Sequence, residues 1–445
     1  MLYRLLLLSL LFAAGALSAG AQQRSTLYIA GRHLYTPCNE RVVIRGVNKM
    51  IVWTGDLALR KRSYEEIAKT GANTVRIVWL ANPSPAEQDA GPDGLDRTIQ
   101  DCIDADLIPM IEVHDATGDW SKLTAMVDYW LRPEVLAVIQ KHEKYLLLNI
   151  GNEIGDDTVT ETMFRAGYGE AILRLRNAGL KLPLVIDGSD WGKNIDMLQA
   201  TGPDLIEQDP EHNILFSVHM YWAISDGATD AYITQELEQS AAMGLPLIVG
   251  EFAHLFPRGG PCNLETDYKA IAKACKDLDI GWLAWEWGPG NEFAHPSCDV
   301  MNMTLDGTYA TLKAGWARDL ALDLPGSIRQ TSTVSTYIKN GGMCDPSRVR
   351  EPFPAPHSHE VTVYPNPSRG YIIATVRSAA AAVARVSLVD PFGREVVQER
   401  FVDLAQGSNS IEFRLTAASA AGVYFVRVQT AAGGTTAPVL HLPLE

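Results

Sequence analysis

The segment LLLNIGNEIG (residues 146–155) runs from apolar side chains directly into Asn152 and Glu153. A buried strand gains nothing from an ionisable carboxylate at its end, because an unpaired buried charge is costly. The mouth of a barrel of parallel strands does use such groups, since the carboxyl ends of those strands carry the chemistry. We therefore interpret this segment as a buried strand that delivers Glu153 to a functional site.

Seven further apolar, β-branched runs repeat this pattern along the main body of the chain. The eight runs begin 32, 34, 37, 37, 32, 32 and 35 residues apart, with helix-like segments such as SYEEIAKTGA between them. Continuous apolar strands that alternate with helices indicate a parallel sheet buried on both faces. Eight evenly spaced units predict a (β/α)8 TIM barrel, of class α/β, rather than an open sheet. The runs are VVIRGVN (42–48), TVRIVW (74–79), IPMIEVHD (108–115), YLLLNIGNE (145–153), LPLVIDGS (182–189), ILFSVHMY (214–221), PLIVGEF (246–252) and GWLAWEWG (281–288).

Composition divides the chain into four parts. Residues 1–21 carry one cation, an apolar stretch and then small residues, as a secretory signal peptide does. The predicted barrel occupies residues 22–344, and the Pro-rich segment 345–359 lacks periodicity and is typical of a linker. Short strand-like runs broken by Gly, Pro, Asn and Ser predict a small β-sandwich over 360–445. No other stretch is long and apolar enough to predict a membrane-spanning helix.

The charge of the chain is unevenly distributed. The net charge is −15, but from residue 360 onward seven acids balance seven arginines and no lysine occurs. The whole negative excess therefore belongs to the first part of the chain. An acidic body repels nucleic acid and anionic membranes, so neither is expected as a partner. The charge favours an uncharged substrate, and we expect a monomer.

Six cysteines fall outside the predicted signal peptide: Cys38, Cys102, Cys262, Cys275, Cys298 and Cys344. In an exported protein some cysteines pair, although spacing alone does not give the connectivity. We favour the pair Cys38–Cys344, which would join the two ends of the main domain, and the pair Cys262–Cys298. Buried free thiols are at least as good an interpretation for the other two. No C-x-x-C pair occurs, which argues against a zinc site.

Polar side chains collect at the carboxyl ends of the predicted strands. They are Asn48, Arg76, His114, Asp115, Asn152, Glu153, His219, Tyr221, Glu251, Trp285, Glu286 and Trp287. Glu153 and Glu251 are 98 residues apart, about three barrel units, so their strands lie across the mouth from each other. Two facing carboxylates can cleave a glycosidic bond, one as a proton donor and the other as a nucleophile. Tryptophans near strand ends offer flat surfaces to sugar rings; these are Trp53, Trp191, Trp222, Trp285 and Trp287.

These motifs resemble glycoside hydrolase family 5, the cellulase and mannanase family, over about residues 25–340. The matching motifs fall on predicted strands 2, 3, 4, 6, 7 and 8 in the order of the family: VRIVW, EVHDATG, NIGNE, SVHMY, VGEF and GWLAWEW. Among them, EVHDATG and GWLAW look most like the bacterial β-mannanase branch, as does VIDGSDWG on strand 5.

The resemblance implies a secreted, endo-acting, retaining hydrolase of β-1,4-linked polysaccharide, with mannan as the favoured substrate. It implies that Glu153 is the general acid/base and Glu251 the nucleophile. We expect no cofactor, and because no H-x-H pair ends any predicted strand we expect no metal site. The substrate-binding residues that it implies are Arg76, His114, Asn152, His219, Tyr221 and Trp285. An endo-1,4-β-glucanase is the alternative enzyme. A non-catalytic glycan-binding protein is the alternative outside the enzymes, and the intact glutamate pair argues against it.

The C-terminal part resembles a second family. VYPNPSRG (363–370), LVDPFGREV (388–396) and GVYFVRV (422–428) are similar to the sorting domain of type IX secretion. This resemblance implies the type IX secretion machinery as a partner. It also implies export through the periplasm to the medium or the cell surface.

Overall fold

The structure of the chain is a computed structural model. The residues that it describes are 24–52, 57–83, 91–291, 295–345, 360–378, 381–390, 395–415, 421–430 and 433–441. The predicted signal peptide, and all but residue 345 of the predicted linker, lie outside these residues, as does Trp53.

Three short strands open the described chain as an antiparallel sheet: β1 (Tyr28–Ala30), β2 (His33–Tyr35) and β3 (Arg41–Val42). The backbone N–H of Ile29 donates to the side chain of Asn213 at 2.9 Å. Because Asn213 immediately precedes a barrel strand, this small sheet lies at the end of the barrel where the strands begin.

The predicted eight-stranded barrel is confirmed. In chain order its strands are β4 (Arg45–Lys49), β5 (Thr74–Trp79), β6 (Ile108–Val113), β7 (Leu147–Asn149), β8 (Leu184–Asp187), β9 (Ile214–His219), β10 (Leu247–Glu251) and, after the short paired strands β11 (Leu255–Phe256) and β12 (Leu264–Glu265), β13 (Gly281–Ala284). They close in the order β10-β13-β4-β5-β6-β7-β8-β9, and all pairs are parallel. Every residue of these eight strands is buried, which explains why the runs are continuously apolar instead of alternating.

Helices cover the outside of the barrel between successive strands. They are α1 (Leu57–Ala68), α2 (Pro92–Asp104), α3 (Leu123–Trp130), α4 (Pro133–His142), α5 (Glu161–Asn177), α6 (Ile195–Gln208), α7 (Asp230–Ala242) and α8 (Tyr268–Asp277), followed after β13 by the short α9 (Trp316–Arg318), α10 (Ile328–Thr331) and α11 (Thr336–Lys339). Helix α2 is an amphipathic example, because Leu95, Ile99 and Cys102 recur at helical spacing and are buried on one face. None of the helices in the described ranges is long and apolar enough to cross a membrane.

Two disulfides constrain the barrel, and both predicted pairings are confirmed. Cys38–Cys344 joins residues 306 apart in sequence and so links the beginning of the barrel region to its end. Cys262–Cys298 joins the loop after β10 to the loop after β13. Cys102 and Cys275 are buried free thiols.

The C-terminal part is the predicted small β-sandwich. Its strands are β14 (Glu360–Tyr364), β15 (Tyr371–Ser378), β16 (Ala382–Val389), β17 (Glu395–Leu404), β18 (Gly407–Arg414), β19 (Gly422–Thr430) and β20 (Gly433–His441). One sheet has the order β14-β15-β18 and the other the order β17-β16-β19-β20. A hydrophobic core of its own, including Ile372, Phe413 and Val426, draws on both sheets. Strands β17 and β20 are not among the predicted strands.

Candidate active site

A cavity of about 730 Å³ opens at the carboxyl ends of the barrel strands. Six of the eight predicted site residues line it: His114, Asn152, Glu153, Tyr221, Glu251 and Trp285. The other two, Arg76 and His219, are fully buried and contact the residues that form its floor. The barrel thus brings together all eight residues singled out from sequence.

Glu153 is presented by a turn, because β7 ends at Asn149 and the chain continues outside the sheet. Its φ of +47° lies in the left-handed region, which is uncommon for a residue with a side chain and tends to occur at functional sites. Backbone contacts hold this conformation: its N–H donates to Asp187 at 3.1 Å, and its carbonyl accepts from Gly118 at 2.8 Å.

Glu251 is the last residue of β10, and both of its carboxylate oxygens are hydrogen-bonded. Arg76 donates to Oε1 at 2.6 Å and the Tyr221 hydroxyl donates to Oε2 at 2.9 Å. Burial, together with the charge of Glu251, raises the pKa of Tyr221 well above its usual value, so the phenol remains a donor. Glu251 is therefore held in one orientation beside a fixed cation.

The two glutamates share a third neighbour, His219. Its Nδ1 lies 2.8 Å from Glu153 Oε1 and 3.6 Å from Glu251 Oε1, and one ligand atom from each of the three residues falls within 4.8 Å of the others. Burial alone would lower the pKa of His219, but Glu251 and Asp187 raise it to about 10. His219 is therefore an imidazolium at neutral pH. Burial raises the pKa of Glu153, and this effect outweighs the opposing contact with His219.

Arg76 organises the floor of the cavity. Besides Glu251, its guanidinium donates to the side chains of Asn48 at 3.1 Å, Asn149 at 2.9 Å and Asn152 at 2.7 Å. Burial opposes its charge, but the surrounding carboxylates raise its pKa above the usual value. Asn152 is consequently fixed with its amide group toward His114 Nε2 (3.4 Å) and Thr117 Oγ1 (2.9 Å).

His114 and Trp285 form one wall of the cavity as a stacked pair. Their ring centroids are 5.9 Å apart with planes 23° from parallel. His114 Nδ1 lies 2.8 Å from the buried Glu112, and although burial disfavours the charged imidazole, this carboxylate raises the pKa of His114. The Trp285 indole donates to Asn291 at 2.8 Å.

Sequence reasoning missed three buried residues of this network, namely Glu112, Asn149 and Asp187. Burial alone would raise the pKa of Asp187, but His219 and Arg76 lower it to about 2, so it is a second anion under the site. Asp187 ends β8 inside the quoted run LPLVIDGS, and a buried acid at a strand end was the available signal. Glu112 precedes His114 by two positions, and Asn149 precedes Asn152 by three. Neither stands at a predicted strand end, so the sequence did not mark them as site residues.

The remaining candidates divide between cavity wall and packing. Trp191 lines the cavity and is 41% exposed, whereas Trp222 donates to the Lys193 carbonyl at 3.1 Å and Trp287 is fully buried. Asp115 accepts the backbone N–H groups of Ala81 and Asn82, which is a structural role.

Glu153, His219 and Glu251 also have the composition of a metal site, with three ligand atoms close together. The guanidinium of Arg76 lies 2.6 Å from the Glu251 carboxylate, and its fixed positive charge repels a divalent cation at this position. The donor set therefore fits proton exchange better than metal binding, and the absence of a metal stays a prediction.

Comparison with known proteins agrees with this geometry. Residues 37–291 match the family Cellulase (glycosyl hydrolase family 5), and residues 362–440 match the secretion system C-terminal sorting domain. A mannan endo-1,4-beta-mannosidase of Salipaludibacillus agaradhaerens is 31% identical over 72% of this chain and 98% of its own length. One from Cellvibrio japonicus is 30% identical over 75% of this chain and 74% of its own.

Solved structures give the same result. The β-mannanase from Thermomonospora fusca superposes with a TM-score of 0.62 at 30% identity, over 71% of this chain and all of that one. Its mannohexaose complex superposes with a TM-score of 0.61 at 29% identity. The chain therefore belongs to glycoside hydrolase family 5 and carries a secretion sorting domain at its C-terminal end.

Proposed function

We propose that this glycoside hydrolase is an exported endo-1,4-β-mannanase that retains anomeric configuration, with Glu251 as nucleophile and Glu153 as general acid/base. The observation that carries the proposal is a pair of buried carboxylates with opposite surroundings. Glu251 accepts hydrogen bonds from Arg76 and Tyr221, whereas burial raises the pKa of Glu153. Environments that differ in this way separate an ionised group from a protonated one.

In the first step a Glu251 oxygen attacks the anomeric carbon and forms a glycosyl–enzyme ester. The glycosidic bond breaks, its electron pair stays on the leaving oxygen, and that oxygen receives the Glu153 proton. In the second step Glu153 takes a proton from water, and the water oxygen attacks the anomeric carbon and releases Glu251. The His219 imidazolium, 2.8 Å from Glu153, stabilises the carboxylate that exists between the two steps.

The spacing of the carboxylates supports retention. An inverting enzyme needs room for a water between them, about 6.5–9.5 Å, whereas a retaining pair is about 5–5.5 Å apart. One oxygen of Glu153 and one of Glu251 lie within 4.8 Å of each other. This short approach favours a retaining pair.

The relatives named above support mannan as the substrate. The site is also suited to recognising the configuration at C2 of the sugar, where mannose and glucose differ. Asn152, fixed by Arg76, is assigned to the 2-hydroxyl of the sugar that is cleaved. His114, Tyr221 and Trp285 are assigned to the same ring, with the indole beneath it. The acidic chain suits an uncharged polymer.

The test is reducing-sugar release by the full chain from glucomannan, galactomannan, carboxymethyl cellulose and xylan in parallel. We expect release from the two mannans, and release from carboxymethyl cellulose alone would establish the endoglucanase alternative. Proton NMR of the first product formed should show the β-anomer, and an initial α-anomer would contradict double displacement.

A nucleophile variant tests the assignment of roles. Glu251→Gln removes the attacking carboxylate and should lower kcat by roughly 10⁴-fold or more, while mannohexaose binding, measured by calorimetry, persists. The exposed Glu238→Gln on α7 is the matched control and should retain full activity. Near-normal turnover by Glu251→Gln would assign the nucleophile elsewhere.

The sorting domain supports a route of export. We propose passage through the periplasm, with a signal peptide at residues 1–21, and then transfer by the type IX machinery to the cell surface or the medium. The proposed working form is a monomer.

A further inference from the structure

Glu286 is a buried acid for which sequence analysis found no role. Its side chain is fully buried, directly after Trp285 and beyond the end of β13. A buried carboxylate is tolerated only when it is paired and hydrogen-bonded. Its Oε2 accepts the backbone N–H of Met50 at 3.2 Å and lies 3.9 Å from Lys49 Nζ, and its Oε1 lies 3.4 Å from Asn291 Nδ2.

Asn291 connects this acid to the cavity wall. Its Oδ1 accepts the indole N–H of Trp285 at 2.8 Å, and its Nδ2 also donates to Asn302 at 2.8 Å. The carboxylate of Glu286 can only accept hydrogen bonds, and it lies 3.4 Å from the Asn291 NH₂ group, which also donates to the nearer Asn302 Oδ1 at 2.8 Å, so the two acceptors jointly fix which side of the amide faces them. The oxygen of that amide is thereby turned toward the indole.

We propose that Glu286 is a positioning residue that, through Asn291, sets the orientation of the Trp285 indole against the sugar. Lys49 compensates the buried charge from the end of β4, which explains why the apolar segment GWLAWEWG includes an acid. The functional consequence rests on the proposed glycanase activity, because Trp285 is the surface assigned to the sugar ring.

The first experiment measures the indole itself. In protein labelled with ¹⁵N-tryptophan, Trp285→Phe assigns the Trp285 N–H signal, and its hydrogen exchange is followed in Glu286→Gln and Asn291→Ala. We expect exchange to accelerate roughly tenfold or more in both variants, because one buried hydrogen bond is weakened or lost. Trp287, whose indole donates to the Gly307 carbonyl, is the internal reference and should not change. Unchanged exchange at Trp285 in Glu286→Gln overturns the proposal, even if exchange accelerates in Asn291→Ala.

The second experiment is a double-mutant cycle on mannohexaose hydrolysis. Glu286→Gln and Asn291→Ala should each lower kcat/KM roughly tenfold in the natural background, and neither should lower it further in Trp285→Phe, which has no indole N–H to hold. Equal losses in both backgrounds would mean general structural damage and would overturn the proposal. The exposed Glu265→Gln on β12 is the control and should match the natural chain.

The two experiments separate the two proposals. If the natural chain cleaves none of the glycans, the proposed function fails, yet the exchange measurement still decides whether Glu286 orients the indole. If Glu286→Gln does not fold, Glu286→Asp, which keeps the charge but shortens the reach to Asn291, provides both readouts.

Discussion

His219 lies between three carboxylates, those of Glu153, Asp187 and Glu251, with Arg76 as the nearby cation. In the unfolded chain a histidine loses its proton near pH 6.5, whereas in the fold the pKa of His219 is about 10. The stabilisation that its charge supplies is therefore complete below pH 6.5 and is lost as the pH rises from there to about 10.

This gives a prediction about stability. The difference in unfolding free energy between the natural chain and His219→Asn, measured by urea denaturation, should be largest at pH 6 and should shrink steadily toward pH 10. A difference that stays constant over this range would mean that His219 is neutral in the fold.

The recognisable residues of the site were predictable because each stands in a short motif at a strand end. Their supports were not, because Glu112 and Asn149 resemble any polar residue within an apolar run. Only the closed barrel shows that Asn149 reaches Arg76, 73 residues earlier in the chain. The roles of such residues depend on three-dimensional contacts that no local pattern encodes.

Among the elements, helix α5 depends on one arginine at its end. Arg176 donates two hydrogen bonds of 2.8 Å to the carboxylate of Asp209, which follows α6, and others to the carbonyls of Leu182 and Asn213. Although burial opposes ionisation of Asp209, Arg176 lowers its pKa. The pair lies at the end of the barrel remote from the cavity.

Removing one partner should leave the other charge buried and alone. Arg176→Met should lower the free energy of unfolding by about 3–5 kcal/mol, with kcat/KM unchanged in the protein that remains folded. The matched control is Arg174→Met on the same helix, whose partner Asp128 is exposed, and it should cost at most about 1 kcal/mol. Equal effects of the two changes would contradict a structural role for the buried pair.

Strand prediction was more accurate for the barrel than for the sandwich. Barrel strands are buried on both faces, so their apolar runs were unmistakable, and TVRIVW matches β5 residue for residue. The two unpredicted strands, β17 and β20, are the two edges of their sheet. Edge position alone does not explain the miss, because the edge strands β14 and β18 of the other sheet were predicted. In EVVQERFVDL polar residues separate short apolar pairs, and GGTTAPVLH begins with two glycines and two threonines, so neither segment has a clear apolar pattern.

At the scale of the molecule, each structured part has its own core. The buried cluster of the barrel region lies between Leu27 and Ile338, and that of the sandwich between Ile372 and Val439. Deletion of residues 360–445 should therefore leave kcat/KM on mannan within about twofold and prevent export, measured as activity in the culture medium. Loss of activity in a truncated protein that keeps its unfolding temperature would show that the sandwich contributes to catalysis.

The disulfide between Cys38 and Cys344 has a consequence for the integrity of the chain. Lys339, exposed at the end of α11, is the last lysine in the sequence, and Cys344 lies five residues beyond it. If a lysine-specific protease cuts the folded protein there, the piece that contains the sandwich keeps its covalent bond to residue 38. In gel electrophoresis the cleaved molecule then migrates as one species until the disulfide is reduced. The barrel therefore stays covalently attached to the sorting domain after cleavage.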